Sequence, residues 1–118
     1  MDMNRLTQKS QEALHDAQTK ALRFGHAEVD GEHLLLALLD QGDGLVAPLL
    51  ARAGADPDRL REDLEAELGR RPRVSGPGVT PGQVHITQRL SRLLDTADEQ
   101  RLFEELAKVS TFEARSRR

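Results

Sequence analysis

The stretch Gly25-His26-Ala27-Glu28-Val29-Asp30-Gly31-Glu32-His33, running on into Leu34-Leu35-Leu36-Ala37-Leu38-Leu39, decides the fold. Its polar first part carries a helix-start signal. Asp30 is suited to cap a helix, because its carboxylate accepts hydrogen bonds from the first free backbone N–H groups. Val29 and Leu34 flank that cap at the spacing of a hydrophobic staple. The helix that follows is apolar on every side, so protein or lipid must enclose it. Its six apolar residues fall far short of the ~20 that span a bilayer. The sequence therefore predicts a short central core helix with a charged collar at its N-terminus, and no membrane association.

Helices to either side supply the enclosure. Thr7 is placed to cap a first helix reaching about Phe24, in which Ala13, Leu14, Ala17, Ala21 and Phe24 recur on one face. Gly25 is its expected C-terminal stop. Beyond the central helix, Gln41-Gly42-Asp43-Gly44 breaks the chain, and Leu45, Val46, Leu49 and Leu50 mark a short amphipathic helix. Pro48 is tolerable there only in about the first turn. Gly54 closes it, and Asp56-Pro57 opens a fourth helix as cap and first residue. Leu60, Leu64 and Leu68 form the inner face of that helix, which stops at Gly69. A run rich in Arg, Pro and Gly follows without periodicity, so residues 70–86 read as a linker. A fifth helix starts after Thr87, with Leu90, Leu93, Leu94 and Ala97 on its face.

The two ends of this layout repeat one another. Thr7-Gln8-Lys9 returns as Thr87-Gln88-Arg89, and Ala13, Leu14 and Ala17 return as Leu93, Leu94 and Ala97, at one constant offset. The same register sets Val109-Ser110 against Val29-Asp30, where a second Leu-rich helix should begin. Instead the chain continues Thr111-Phe112-Glu113-Ala114-Arg115 and ends soon after. The expected organisation is one all-α domain: repeat one over about 5–69, the linker, and a partial repeat two over 87–118. Two explanations of the partial copy stay open, a truncated or altered product and final helices supplied by another chain.

Composition narrows the function classes. The 118 residues carry a formal net charge of −3, with 37% hydrophobic and 31% charged residues. That balance suits a soluble domain and argues against non-specific nucleic-acid binding, which needs a basic surface. Three Phe and no Trp or Tyr leave an aliphatic core. There is no cysteine, hence no disulfide or thiol chemistry. The start Met1-Asp2-Met3-Asn4-Arg5 lacks the apolar run of a secretory signal, which points to the cytoplasm.

His26, Glu28, Asp30, Glu32 and His33 crowd together in a way that invites a metal reading. Their spacing lacks the two His one turn apart around a Glu that a zincin helix needs. Acidic residues at a helix N-terminus are what its dipole favours, so the structural reading is preferred. No nucleophile elbow or phosphate-binding loop is present, and His15 and His85 stand alone. No catalytic residue, cofactor or metal is expected. A helix-turn-helix reading fails because the helix after Gly25 is too apolar to enter a groove lined with phosphates.

Leu6-Thr7 with Ala13-Leu14 and Ala17, then Glu32-His33-Leu34-Leu35-Leu36-Ala37-Leu38-Leu39, Pro48-Leu49-Leu50 and Ala53-Gly54, resembles the N-terminal domain of Clp-type AAA+ unfoldases. The likeness covers about Met3 to Gln100 and is greatest to the ClpB disaggregase branch. It implies a helical bundle of two pseudo-repeats, the second truncated here. It also implies a role in recruiting unfolded or aggregated substrates, or adaptor proteins, to the ATPase rings that follow such a domain. By the same resemblance Thr7 stands where the ClpB branch has a threonine implicated in substrate engagement, beside a groove between the repeats. Read by itself, Thr7 is as well explained as a helix cap. Glu32 matches a position that helps bind phosphorylated arginine in the ClpC branch, whereas this sequence sides with ClpB. The second-repeat partner of that glutamate has no counterpart, since Phe112 falls there.

Thr7, Leu90, Leu93 and Leu94 are thus the expected contacts for extended hydrophobic segments, with Glu32 added by analogy. The alternatives from other classes are a free-standing adaptor or regulator without an ATPase ring, and a metal-dependent enzyme built on His26 to His33. The partial repeat also predicts an uncovered apolar face. Leu90, Leu93, Leu94 and Ala97, continued by Leu102, Phe103 and Leu106, would self-associate through residues 90–112. Zinc titration by calorimetry tests the metal-enzyme alternative: no binding tighter than millimolar is expected, and micromolar binding would revive it.

Overall fold

The computed structural model describes residues 7–41, 44, 46–52, 54–73, 84–95 and 101. Five helices occupy them: α1 (Gln8–Arg23), α2 (Gly31–Leu39), α3 (Val46–Arg52), α4 (Pro57–Arg70) and α5 (Gln88–Leu94). Two strands of two residues each, β1 (Glu28–Val29) and β2 (His85–Ile86), pair in parallel, with Glu28 opposite His85 and Val29 opposite Ile86. No helix among these residues is long and apolar enough to cross a membrane.

Local chemistry sets the helix ends. The Thr7 hydroxyl accepts from the Ser10 N–H and opens α1. At the other end Gly25 takes φ 75°, a left-handed conformation that costs a glycine little. It lets the Gly25 N–H reach the Leu22 carbonyl and the His26 N–H reach the Ala21 carbonyl, the paired bonds of a Schellman turn. Gly54, at φ 88°, ends α3 in the same way: its N–H donates to the Ala51 carbonyl, and the Ala55 N–H donates to the Leu50 carbonyl. Pro48 is the third residue of α3, within the first turn as expected. Asp56 caps α4 through the N–H groups of Asp58 and Arg59, with Pro57 at the first helical position. The helix runs on to Arg70, one residue past the stop that Gly69 predicts.

α2 lies at the centre of the fold. All nine of its residues are buried, polar ones included. α1, α3, α4 and α5 pack around it. α1 contributes Ala13, Leu14, Ala17 and Ala21, α4 contributes Leu60, Leu64 and Leu68, α3 contributes Val46 and Leu50, and α5 contributes Leu90 and Leu94. Val29 of β1 and Val84, just before β2, join the same core. The small Ala side chains on α1 let its backbone approach α2 closely, which suits a core built without large aromatics.

Two further features differ from the sequence-based expectation. The strand pair was not foreseen, because two residues are too few to show an alternating pattern. The face of α5 is covered: Leu90 is 0% exposed and Leu94 is buried, both packed within the same chain. That removes part of the ground for self-association, since these two leucines are no longer uncovered. Leu45, Ala53, Ala97, Leu102, Phe103 and Leu106, and the remainder of 102–112, lie outside the described residues.

Burial of α2 on every side makes it the most sensitive element to truncation. Leu35→Ala removes a side chain that is 1% exposed and should cost about 2–5 kcal/mol in urea denaturation. Leu49→Ala on α3, where the side chain is exposed, should stay within about 0.5 kcal/mol. Equal losses at the two positions would contradict the packing described.

Candidate functional site

An all-apolar helix still has two polar ends, and both ends of α2 are built into ion networks. At its N-terminus, Asp30 caps the helix through the Gly31 N–H at 2.8 Å. The reciprocal half of the capping box is unusual. His33 stands where Glu or Gln is common, and its Nδ1 accepts the Asp30 N–H at 2.9 Å. Glu32, one residue earlier, is 2% exposed and cannot reach bulk water. A carboxylate buried so deeply must be paired.

Its partners come from two distant segments. Arg71, the residue that ends α4, places Nη2 at 2.9 Å from Glu32 Oε2 and Nη1 at 3.6 Å from Asp30 Oδ2. Arg89, in the first turn of α5, places Nη2 against Glu32 Oε1 and Nε at 3.2 Å from Asp30 Oδ1. Thr87 completes the set. Its hydroxyl donates to Asp30 Oδ1 at 2.9 Å and accepts the Leu90 N–H at 3.1 Å, so one side chain caps α5 and ties it to the cap of α2. The strand pairing adds backbone bonds at the same place, from the His85 N–H to the Ala27 carbonyl and from the Thr87 N–H to the Val29 carbonyl. Two carboxylates and two guanidiniums thus balance in charge and join α2, α4 and α5.

The two histidines of this segment meet as well. His26 Nδ1 and His33 Nε2 are 2.9 Å apart, the rings cross edge to face, and Phe24 stacks on His26. Burial and the neighbouring His26 and Arg71 push the His33 pKa down to about 4, against a weaker upward pull from Asp30 and Glu32. Burial and Arg71 lower that of His26, partly offset by the backbone of Leu68 and Arg71. The metal reading required these side chains to converge on one point. Instead His26 and His33 face each other, Asp30 and Glu32 face arginines, and Glu28 is exposed. Among the described residues no group of three metal-binding side chains forms.

The opposite end of α2 has its own network. Asp40, at the C-cap, pairs with Lys20 Nζ at 2.6 Å and with Arg61 Nε at 3.1 Å. Arg61 Nη2 also donates to the Leu39 carbonyl at 2.8 Å, placing a cation where the helix dipole is negative. Gln41 Nε2 donates to the Lys9 carbonyl and fastens this end to the start of α1.

These contacts locate the residues singled out from the sequence. Thr7 is exposed on the end of α1 that is tied to Gln41, beyond the C-terminus of α2. The start of α5 is tied to Asp30, at the other end of a helix about 12 Å long. Leu93 is half-buried and accessible, whereas Leu90 and Leu94 are buried in the core. Glu32 is enclosed by Arg71 and Arg89. Sequence reasoning missed both arginines as well as the buried Lys20. The recurrence of Lys9 as Arg89 hinted at a fixed basic position, but nothing local marked its partner.

Comparison with known proteins agrees with this geometry. The family described as the Clp repeat (R) N-terminal domain matches residues 5–111. The chain is 52% identical over 99 residues to the chaperone protein ClpB of Nitratidesulfovibrio vulgaris, covering 84% of this chain and 11% of that protein. It is 42% identical over 98 residues to ClpB of Pseudomonas putida, covering 83% and 11%. Against ClpB of Bacillus cereus it is 38% identical over 100 residues, covering 85% and 12%. The chain therefore spans 11% or 12% of the length of these relatives.

Two measurements check the collar. Glu32→Ala leaves Arg71 and Arg89 with Asp30 as their shared counter-charge and Glu67 beside Arg71. Because both guanidiniums are partly hydrated, it should cost about 1–3 kcal/mol in urea denaturation; a loss under about 0.5 kcal/mol would show that the carboxylate is not held as described. His33 gives a pH dependence. Its folded pKa lies below the unfolded value, so the unfolded chain binds more protons and stability is lost as the pH is lowered. The loss begins near pH 6.5 and is complete once pH drops below about 4. From His33 alone it amounts to at most about 3 kcal/mol. Replacing His33 with Gln, which can keep the capping box, should flatten that part of the profile.

Proposed function

The chain belongs to the Clp repeat N-terminal domain family, and from that premise we propose that it is a non-catalytic protein-binding domain. It serves a ClpB-type ATP-dependent chaperone by recruiting unfolded or aggregated protein segments, or an adaptor. The single observation that carries this reading is 52% identity over 84% of the chain to a ClpB chaperone. The fold supports it, being all-helical except for the short strand pair. The caps of α1 and α5 support the repeat reading, with repeat one over 5–69 and partial repeat two over 87–118. Thr7 and Thr87 have nearly the same backbone angles, φ −65°, ψ 163° and φ −64°, ψ 156°, and each hydroxyl accepts the N–H three residues on.

In this reading the exposed Thr7 and the accessible edge of Leu93 are the contacts for extended hydrophobic segments. Leu90 and Leu94 support that edge from the core. Glu32 acts through the fold: with both oxygens held by Arg71 and Arg89, it positions α5 rather than receiving a guanidinium from outside. Recruitment has to be reversible if substrates are to move on. Affinities in the micromolar range or weaker follow, about −8 kcal/mol at most. The cytoplasm is the compartment in which such a domain would act.

Nuclear magnetic resonance titration with unfolded casein tests the proposal. Saturable shifts at Thr7 and Leu93, with a dissociation constant in the micromolar range or weaker, are expected. Shifts clustered elsewhere would reject the residues, and none at millimolar peptide would reject the role. A Walker motif encoded downstream of this region separates a ring-borne domain from a free-standing adaptor.

A further inference from the structure

We propose that the His26–His33 pair is a proton-sensitive latch: uptake of one proton by the pair releases the cap of α2 and, with it, the segment 84–95. The argument is a count of hydrogens along a fixed chain of contacts. The Asp30 N–H can only donate, so His33 Nδ1, 2.9 Å away, must carry a lone pair. Neutral His33 then carries its hydrogen on Nε2, which donates across 2.9 Å to His26 Nδ1. His26 Nδ1 is therefore also a lone pair, and the His26 hydrogen sits on Nε2. Both tautomers are fixed from one end by a backbone group.

Only two nitrogens in the pair remain unprotonated, and both are already accepting. An added proton on His33 Nδ1 would face the Asp30 N–H, hydrogen to hydrogen. An added proton on His26 Nδ1 would face the His33 Nε2–H in the same way. No arrangement of three protons on the two rings keeps both contacts. The pair must break either its mutual hydrogen bond or the capping box.

The surrounding charges decide how far the break is felt. Asp30 and Glu32 lie on the first turn of α2 beside the rings, but they are already engaged by Arg71 at the end of α4 and by Arg89 on α5. Glu67 on α4 in turn holds Arg71 Nε at 3.8 Å. The remaining cation near His26 is Arg73, which packs over Gly25 and opposes a further positive charge. Asp30 is where the disturbance spreads. Its N–H belongs to the histidine chain, while its side chain holds Thr87 and Arg89. The adjacent Val29 carbonyl accepts the Thr87 N–H. Moving Asp30 loosens the polar contacts that seat residues 84–95 on α2.

Native-state hydrogen exchange on the full chain from pH 7 to 4, with histidine titration followed by ¹⁵N resonance, tests the proposal. The His85 and Thr87 amides report docking, and amides inside α1 such as Ala17 report the body. Protection at His85 and Thr87 should fall by about tenfold per pH unit, the slope of one-proton linkage. The fall should begin near pH 6.5, where a freed histidine takes up its proton, and level off at the midpoint at which the docked pair titrates, while α1 keeps its protection. The double variant His26→Gln, His33→Gln can preserve every donor and acceptor without a titrating ring, and its docking should lose that slope. Proton uptake by His33 without loss at His85 and Thr87 would overturn the proposal. So would loss with an unchanged midpoint in the double variant, which would assign the effect to Asp30 and Glu32. Should the double variant not fold, the wild-type titration alone decides: a tenfold-per-unit fall that ends at the pair's midpoint supports the latch, and protection independent of pH above that midpoint refutes it.

Discussion

Glu32 must be neutralised inside the protein. It is 2% exposed, at the mouth of a helix whose remaining side chains are almost all aliphatic. A bare carboxylate there would cost several kcal/mol, a large share of the ~5–15 kcal/mol that holds a domain folded. The chain answers with Arg71 and Arg89, brought from either side of the 74–83 segment. Placing those two guanidiniums on one carboxylate fixes where α4 ends and where α5 begins. Once they are set, Thr87 reaches Asp30, and the short strands come into register. The aliphatic packing of Leu90 and Leu94 follows from that placement and adds the non-directional part of the stabilisation.

Division of labour between the two ends of α2 has a simple physical basis. The body of the helix is held by apolar contact, which favours burial and leaves axial position loosely specified. Direction comes from the ends. Acids sit at the N-terminus and cations approach the C-terminus, as the helix dipole favours. Each end also recruits a partner from a different helix. Lys20 on α1 and Arg61 on α4 meet Asp40, while Arg71 and Arg89 meet Asp30 and Glu32. α2 is therefore located along its axis as well as enclosed around it.

What the sequence disclosed was the local part of this design. The caps at Thr7, Asp30, Asp56 and Thr87, the stops at Gly25 and Gly54, and the inner faces of α1 and α4 are all signals of a few residues. Each sits where its pattern placed it. The enclosure of α2 was legible because no orientation of an all-apolar helix leaves a polar side for water. The ion partners were not. Thr87 and Arg89 lie 57 and 59 positions from Asp30, and no periodic rule spans such a distance. Lys20 was hidden for the opposite reason: it lies among Ala17 and Ala21 on an apolar face, where a charged residue reads as an exception. The histidines illustrate a third case. Their crowding was visible, but the outcome depended on Nδ1 and Nε2 geometry that spacing cannot encode.

A domain that recruits unfolded segments faces a conflict between capture and its own solubility. A broad exposed apolar face would bind substrate and would also bind copies of itself. Among the described residues the large apolar side chain left exposed is Leu49 on α3, and Leu93 offers a partial edge. Leu90 and Leu94, which the sequence pattern offers for capture, are buried in the core. Recognition under the proposed role then rests on small edges and polar backbone contacts near the helix caps. Such contacts give weak binding and fast release. Their geometry depends on how firmly α5 is seated, because Leu93 projects from a helix anchored through Thr87 and Arg89. Under the proposed role the charged collar on α2 would bear on recruitment without touching substrate, because it sets the position of the Leu93 edge.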